Sequence, residues 1–364
     1  MHKTIENKKL AWLGTNLFMV LSMVIIGGIT RLTDSGLSMT TWNLIKGVVP
    51  PLNQEEWINV FNLYKNYPEY NLKNLSMTLE EFKKIFFWEY FHRLWGRLIG
   101  FTFFIPLFYF WLKGYFNKNE KKLILIITFL GFFQAFMGWY MVESGLIDQP
   151  DVSHFRLSVH LITAFIIYSL LLYYFWNIHL GKKKVLYDIS AYKTKLHKKN
   201  FFISLLLLLT TVLAGALVSG TEAGLSYNNF PYMGDGFLPP IITSGEITNV
   251  KSLLYDQGFL QFLHRLVATI TLLYLLHTIF KANKDHFFKN FKQLFYFLFF
   301  MIILQYTLGI IILKLYVPIL LGLMHQIGAL LILSLLVISL SEAKKMGRNS
   351  PHKQNLNVLV RIKS

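Results

Sequence analysis

Eight long apolar stretches constrain this chain more than any other feature of its sequence. A helix needs about 20 mostly apolar residues to cross a bilayer, and a spanning segment must satisfy its backbone hydrogen bonds internally. The sequence therefore predicts an all-α integral membrane protein with eight transmembrane helices, numbered here as spans 1 to 8. The spans lie at about residues 12–30, 94–112, 123–142, 157–178, 201–220, 260–280, 293–313 and 319–340. Spans 2 and 6 follow polar runs, so either can extend outward by a turn or two.

The distribution of charge predicts the orientation of these spans. The chain holds 36 Lys and Arg against 19 Asp and Glu, a net charge of +17 that in a soluble protein would suggest a nucleic-acid partner. Residues 1–11, 113–122, 181–200, 281–292 and 341–364 together carry 24 basic and 5 acidic residues, whereas the rest carries 12 and 14. Because positively charged loops stay in the cytoplasm, both termini are predicted to be cytoplasmic, and no basic face remains for nucleic acid.

The N-terminus and the amino-acid composition narrow the cellular location and the chemistry. Span 1 has no small-x-small cleavage site before Arg31, and no Arg- and Ser-rich presequence precedes it. These features predict a multi-pass protein of the bacterial inner (cytoplasmic) membrane. The chain has no Cys, which excludes disulfides, Cys-ligated zinc, Fe–S clusters and covalent C-x-x-C-H heme attachment.

An internal repeat divides the chain into two halves. Arg31-Leu-Thr-Asp-Ser-Gly-Leu-Ser38 returns as Ser219-Gly-Thr-Glu-Ala-Gly-Leu-Ser226, and Phe91-His-Arg-Leu94 returns as Leu263-His-Arg-Leu266. The matches keep their order, and the first half carries a longer outer loop. Since each unit holds four spans, the two units enter the membrane from the same side. The prediction is two parallel four-helix-bundle repeats.

The resulting domain plan has five parts. Residues 12–180 form the first repeat with the long outer loop, and residues 201–340 form the second repeat. Residues 1–11 are a cytoplasmic N-terminus, residues 181–200 a basic cytoplasmic linker, and residues 341–364 a basic cytoplasmic tail.

Four of the 11 histidines recur between the halves as two pairs, His92 with His160 and His264 with His325. They are predicted near the outer ends of spans 2, 4, 6 and 8. Two His on facing helices at one depth can hold a heme iron from both sides, whereas zinc usually needs a third or fourth ligand. The alternative is that each His hydrogen-bonds a backbone carbonyl of a neighbouring helix. The other seven His are interpreted as non-ligands.

Cationic and small residues accompany these histidines. Arg93 and Arg265 directly follow His92 and His264, where they could pair with heme propionates or simply reach the membrane interface. Gly residues in the spans could admit a flat macrocycle, although close helix packing also explains them. Those noted are Gly96, Gly100, Gly138, Gly309, Gly322 and Gly328.

One position breaks the symmetry of the repeat. Glu89 stands three residues before His92, and Gln261 three residues before His264. Residues three apart share a helix face, so each is expected to point toward the pocket of its His. A Glu can transfer a proton or stabilise a cation and a Gln cannot, which suggests chemistry in the first half and a permanent cofactor in the second. A Glu at a helix start can also simply favour the helix dipole.

Taken together, these motifs resemble the heme A synthase family, in its alphaproteobacterial and mitochondrial form, over about residues 12–340. The motifs are Arg31-Leu-Thr-Asp-Ser-Gly-Leu-Ser-Met39 with Trp42, Gly47-x-x-Pro-Pro51, Glu89-Tyr-Phe-His-Arg93, Gly224-Leu-Ser-Tyr-Asn-Asn-Phe-Pro231, Pro239-Pro240 and Phe262-Leu-His-Arg265. Some members carry a Cys pair in an outer loop that this chain lacks.

The resemblance implies an oxidoreductase acting on CH or CH2 groups, which oxidises the C8 methyl of heme O to a formyl group by two successive hydroxylations and gives heme A for terminal oxidases. Heme b would be the resident cofactor, with His264 and His325 as axial ligands. His92 and His160 would face or ligate the iron of heme O, and Glu89 would be the catalytic carboxylate.

The partners implied are the lipid bilayer, heme O, a heme O synthase that hands it over, and an unidentified electron acceptor; the sequence leaves open whether the protein forms a homo-oligomer. The alternative function is a dihaem b-type membrane electron-transfer protein, in which both hemes are permanent. A carboxylate in one half only favours the enzyme. A carrier is the third possibility, but it would place polar residues at mid-membrane.

Overall fold

The computed structural model describes residues 2–41, 46–145, 151–181, 191–245, 247, 249–285 and 292–348. Within these residues the chain is helical and holds no strand. Outside the described residues lie Trp42 of the first motif, residues 182–190 of the basic linker, His286, His352 and the tail from residue 349.

Twelve α-helices occur in the described part of the chain. The long ones are α1 (His2–Leu32), α4 (Leu79–Leu112), α5 (Lys118–Gly145), α6 (His154–Gly181), α7 (Ala191–Gly220), α10 (Gln257–Lys284), α11 (Lys292–Lys314) and α12 (Ile319–Arg348). The short ones lie in the two long loops: α2 (Gln54–Tyr64), α3 (Pro68–Lys73), α8 (Pro240–Thr243) and α9 (Val250–Tyr255).

The eight long helices are long and apolar enough to cross a membrane, and they coincide with the eight predicted spans. The protein is therefore a multi-pass membrane protein. Span 2 begins much earlier than predicted, at Leu79 instead of about residue 94. A capping box fixes this start, because the Thr78 side chain accepts from the Glu81 amide and the Glu81 side chain accepts from the Thr78 amide.

Four helices form the centre of the molecule. Helices α1, α6, α7 and α12 pack on one another, with α6 and α12 in contact across the middle. Each outer helix leans on one central helix: α4 on α1, α5 on α6, α10 on α7 and α11 on α12. One apolar core runs through the central helices and includes the fully buried Phe165, Phe201 and Leu336.

The ends of α1 and α7 lie together, since Arg31 donates to the carbonyl of Ser219 over 2.6 Å. We call this end of the molecule, which carries the loops after α1 and α7, the loop face. The two loops begin alike: Asp34 and Glu222 occupy equivalent motif positions, and both adopt the left-handed conformation, with φ of 47° and 55°. Residues other than Gly, Asn and Asp rarely adopt this backbone conformation.

The longer loop of the first half builds a small subdomain on the loop face, formed by α2, α3 and the first turns of α4. Its core consists of Phe61, Tyr64, Phe82 and Phe86. The Phe61 and Phe82 rings lie 4.9 Å apart between centroids. This aromatic packing accounts for the long extension of α4 beyond the apolar stretch, because the extension supplies half of the core.

Candidate functional site

Each of the four paired histidines lies against a glycine of a neighbouring helix. A Cβ at Gly27 of α1 would stand 3.2 Å from Nε2 of His92, and a Cβ at Gly138 of α5 would stand 3.3 Å from Cε1 of His160. In the second half, Cβ atoms at Gly215 of α7 and Gly309 of α11 would stand 3.0 Å and 3.1 Å from Cε1 of His264 and His325, respectively. Any larger residue would crowd the imidazoles. The glycines therefore create the space that the rings fill.

The histidines of each predicted pair lie close enough to interact electrostatically. The ring of His92 interacts electrostatically with that of His160, and the ring of His325 with that of His264. In each pair the two rings come from helices that do not pack on each other, α4 with α6 and α10 with α12. Each pair therefore comes from two helices that both pack on a third one, α1 in the first half and α7 in the second.

The hydrogen-bonding state of these rings argues against a purely structural role. Nδ1 of His160, His264 and His325 is buried and has no hydrogen-bond partner among the described residues. The His264 ring lies beside the carbonyl of Thr211, without a hydrogen bond of normal geometry. Interior polar atoms are normally paired, so hydrogen bonds to neighbouring carbonyls do not account for Nδ1 of His160 and His325.

Two ligands per site suit a heme better than zinc. The described residues contain no group of three or more His, Cys, Asp or Glu close enough to hold a metal ion. Zinc sites normally use three or four protein ligands, whereas a heme iron takes two axial ligands and four nitrogens from the porphyrin. The paired, half-buried rings and the glycines beside them fit that demand.

Arg93 and Arg265 hold the loops on the loop face. Arg93 donates to the carbonyl of Met39 over 2.9 Å and to that of Thr41 over 3.0 Å. Arg265 donates to the equivalent carbonyls of Tyr227 over 2.7 Å and Asn229 over 3.0 Å. In both halves, therefore, an Arg holds the loop through hydrogen bonds to equivalent backbone carbonyls. A role for either guanidinium in binding propionates stays a prediction.

Glu89 is buried, with 2% of its surface exposed. One carboxylate oxygen accepts from the Ser38 hydroxyl over 2.8 Å and from the Met39 amide over 2.7 Å. The other accepts from Arg93 over 2.5 Å. Hydrogen bonds between a carboxylate and a charged donor such as Arg93 are shorter and stronger than those between neutral groups. These contacts direct Glu89 to the loop beside the His92 site, and its catalytic role stays a prediction.

Gln261 occupies the same position in the second half but reverses part of the pattern. Its amide donates to the carbonyl of Ala223 over 2.7 Å, and its oxygen accepts from Arg265 over 2.8 Å. In the first half a loop amide donates to the side chain, whereas in the second half a loop carbonyl accepts from it. The two loops are therefore built for different side chains at this position.

A second buried carboxyl lies in the subdomain of the loop face. Glu69 is 5% exposed, accepts from the Tyr64 hydroxyl over 2.9 Å, and Asn74 donates to that hydroxyl over 2.8 Å. Burial raises the pKa of Glu69 to about 8; the Tyr64 hydrogen bond opposes this, and the charges of Glu89 and Asp34 add to it. Glu69 is therefore mostly protonated at neutral pH.

Two of the histidines interpreted as non-ligands have other contacts. A ring nitrogen of His154 lies 3.2 Å from the carbonyl of Leu254, and His197 lies 3.2 Å from the Asp285 carboxylate. These contacts agree with that interpretation.

Comparison with known proteins places the chain in a family. Residues 10–337 match the model of the COX15-CtaA family, described as cytochrome oxidase assembly protein. The chain belongs to this family. The match covers all eight spans and both histidine pairs, so the family resemblance stated from the motifs is confirmed.

Relatives from several bacteria cover nearly the full length of the chain, and each is named "Heme A synthase". The protein of Rickettsia canadensis is 39% identical over 327 residues, covering 90% of this chain and 95% of the relative. That of Rickettsia felis is 40% identical over 339 residues, covering 93% and 97%. That of Flavobacterium johnsoniae is 37% identical over 349 residues, covering 93% and 99%.

In this family member, the sequence did not single out the two glycines beside the first histidine of each pair, Gly27 and Gly215. Gly27 and Gly215 are equivalent in the repeat, 188 positions apart like the loop motifs that follow them. Their matching positions in the repeat are the feature of the sequence that indicates a shared role. Of the glycines that were noted, Gly138 and Gly309 line histidines, whereas Gly100 faces open space.

Proposed function

We propose that this protein is a heme A synthase, which oxidises the C8 methyl of heme O to a formyl group. The observation that carries the proposal is the duplicated site: two His pairs, each cradled by glycines, with a carboxylate beside one pair and an amide beside the other. The names of the relatives support it. Electron transfer between two permanent hemes would give no reason for this difference.

The two halves then have different tasks. His264 and His325 would hold heme b, which supplies one-electron transfer when it is bound. His92 and His160 would bind the iron of heme O and fix the porphyrin near Glu89. Glu89 is suited to stabilise positive charge or take a proton as the methyl group becomes first a hydroxymethyl group and then a gem-diol. Each of these two steps would take one oxygen atom from water and release two electrons and two protons, the electrons going to the unidentified electron acceptor. The gem-diol would then lose water to leave the formyl group.

The proposal includes the orientation and the repeat. The loop face would lie outside the cytoplasm, both termini inside it, and the halves would be parallel repeats in a bacterial inner membrane. The charge bias of the loops supports the orientation. The equivalent hydrogen bonds from Arg93 and Arg265 to the carbonyls of their loops support the repeat.

Expression in a host that makes heme O but not heme A tests the reaction directly. Extracted hemes are analysed by mass. Hydroxymethyl and formyl products are expected, and a preparation that contains heme b with only unmodified heme O would refute the enzyme. That second outcome would instead favour the dihaem electron-transfer protein.

Variants in the same host test the ligand assignment. Replacing His264 or His325 by Ala is expected to diminish the heme b absorption, because one axial ligand is lost. Replacing His92 or His160 should leave heme b in place and reduce heme O binding. His277→Ala is the matched control, since His277 lies at the other end of α10 from His264. Normal heme b content in both second-half variants would refute their assignment.

A further inference from the structure

The two halves differ in how their second and third spans meet. In the second half α10 packs along α11: the Thr269 and Tyr306 hydroxyls share a hydrogen bond of 2.8 Å, and the Phe280 and Phe299 rings lie 6.2 Å apart between centroids. In the first half α4 and α5, both described over their whole lengths, do not pack in this way. Their rings meet at Phe104 and Phe132, 5.4 Å apart between centroids.

The residues that bridge the second half are absent from the equivalent positions of the first. Counting from His264 and His92, Thr269 corresponds to Arg97. Gln134 and Gly138 of the first half match Gln305 and Gly309 of the second at the same spacing, so Tyr306 corresponds to Ala135. Ala135 lies three residues after Phe132 and so shares its face of α5, which is the face toward α4. Ala135 is exposed. A small side chain therefore stands where the second half has a phenol that closes the gap.

The gap reaches the depth of the first histidine pair. His92 precedes Phe104 by twelve residues, or about 18 Å along α4 at 1.5 Å per residue. Gly138, which lines the ring of His160, lies three residues after Ala135 on α5. The gap between the helices therefore extends along α4 toward His92 and along α5 toward the glycine beside His160.

From the loop face the same site is covered. The aromatic core of the subdomain packs against Met39 and Tyr90, and Tyr90 donates to the carbonyl of Val48 over 2.7 Å. Met39 is in turn held by Glu89 and Arg93. An approach from water would have to displace this packed layer, whereas an approach from lipid would not.

We propose that the gap between α4 and α5 is a lateral entrance through which the prenylated porphyrin substrate enters the first half from the bilayer. The Thr269–Tyr306 bridge closes the equivalent gap and keeps the cofactor of the second half in place. The inference rests on the proposed function for the identity of the substrate. A prenyl chain partitions into lipid by about 0.8 kcal/mol per buried CH2, so an entrance within the membrane spares the substrate from crossing water.

The first test measures entry as binding, not turnover. Purified full-length protein from a host without heme O is placed in phosphatidylcholine vesicles, heme O is added, and its uptake is followed by the absorbance of the bound heme. Ala135→Trp is expected to slow uptake about tenfold by narrowing the path, with unchanged heme b content. Ile126→Trp is the matched control, because Ile126 is an exposed residue of the same helix that lies nine residues, or two and a half turns, before Ala135 and so on the opposite side of α5.

Wild-type uptake rates in Ala135→Trp would overturn the entrance, as would equal slowing by Ile126→Trp. Unchanged heme b content shows that Ala135→Trp has folded. If the wild type binds heme O through this path but never converts it, the proposed function fails while the entrance stands. If it converts heme O and Ala135→Trp binds as fast as the wild type, the entrance alone fails.

The second test removes the bridge between α10 and α11 in the second half. Tyr306→Ala removes the bridging phenol, and Tyr306→Phe keeps the ring but removes the hydrogen bond to Thr269. Transfer of heme b to added apomyoglobin is expected to be fastest in Tyr306→Ala and closer to the wild-type rate in Tyr306→Phe. Retention of heme b in Tyr306→Ala for as long as in the wild type would overturn the role of the bridge.

Discussion

The imidazole of His264 lies directly over Gly215, so that a Cβ at this glycine would stand 3.0 Å from Cε1 of the ring. This distance is tighter than nine in ten real Cβ contacts, so the ring would have to move by a few tenths of an ångström. The glycine therefore determines where the histidine of α10 can lie. The relation recurs at Gly27 and His92, which indicates that ring placement by a neighbouring helix is part of both sites.

Gly215→Val should therefore displace His264 and lower the amount of bound heme b. Interiors tolerate added volume poorly, at a typical cost of about 1–3 kcal/mol. The measurement is the ratio of heme absorbance to protein in the purified variant. Gly131→Val serves as the control, because a Cβ at Gly131 would meet nothing within 4 Å. Full heme content in Gly215→Val would show that the glycine is not needed to place the ring.

The sequence predicted the spans and the histidine pairs because both leave strong, local signals. An apolar run long enough to cross a membrane rarely occurs in a soluble protein, and a His that recurs at matching positions is hard to attribute to chance. The sequence did not predict the extension of α4 to Leu79. Residues 79–93 mix charged and aromatic side chains without a membrane-like run, and they become helical through tertiary packing on Phe61 and Tyr64.

The sequence also did not predict the direction in which the Glu89 side chain points. Its spacing from His92 placed it on the same side of the helix, but its contacts depend on how the loop after α1 folds back to present Ser38 and Met39. Similarly, Gly27 lies in a run of apolar residues where a glycine by itself signals nothing. Only the neighbouring helix shows that it makes room for a ring.

Glu89→Gln should keep bound heme b and lose heme A formation. The substitution removes the charge and also places an NH2 group among three donors, the Ser38 hydroxyl, the Met39 amide and Arg93. Extracted hemes analysed by mass provide the measurement. Gln261→Glu is the matched change in the second half; it sets a carboxylate against the Ala223 carbonyl and is expected to weaken that loop.

Ser38→Ala distinguishes a chemical role of Glu89 from a role in holding the loop after α1. It removes one donor to the carboxylate but keeps the carboxylate itself. If Glu89 acts chemically, Ser38→Ala should retain most of the product formation that Glu89→Gln loses. Loss of product to the same extent in both variants would indicate that holding the loop is the main role of Glu89.

The subdomain on the loop face should lose stability as the pH rises. The pKa of Glu69 is about 8 in the folded protein and near 4.5 when it is unfolded, so the folded state binds the proton more tightly between these values. The free energy of unfolding of this region should fall by at most about 1.4 kcal/mol per pH unit from pH 4.5 to 8, and no further above that.

Limited proteolysis of residues 54–78 between pH 6 and pH 9 measures this effect. Wild-type cleavage should accelerate up to about pH 8. Glu69→Gln keeps an acceptor for Tyr64 without a titrating group, so its cleavage should vary much less with pH. Glu55→Gln, at an exposed position of α2, is the control. The same acceleration in Glu69→Gln would assign the pH dependence to another group.

At the end opposite the loop face, a buried ion pair joins three helices. Lys9 of α1 lies 3.0 Å from Glu120 of α5, and Tyr174 of α6 donates to the same carboxylate over 2.9 Å. Removing one member of a buried pair leaves the other charge uncompensated, at a cost of about 3–5 kcal/mol. Lys9→Met should therefore lower the midpoint of thermal unfolding clearly.

The double variant Lys9→Met with Glu120→Gln should recover part of this loss, because no unpaired charge then remains buried. Lys83→Ala is the matched control: its partner Glu80 is largely exposed, and exposed pairs contribute about 0–1 kcal/mol. Thermal unfolding in detergent, followed by circular dichroism, compares the variants. If Lys9→Met unfolds at the same temperature as Lys83→Ala, the pair does not hold α1, α5 and α6 together.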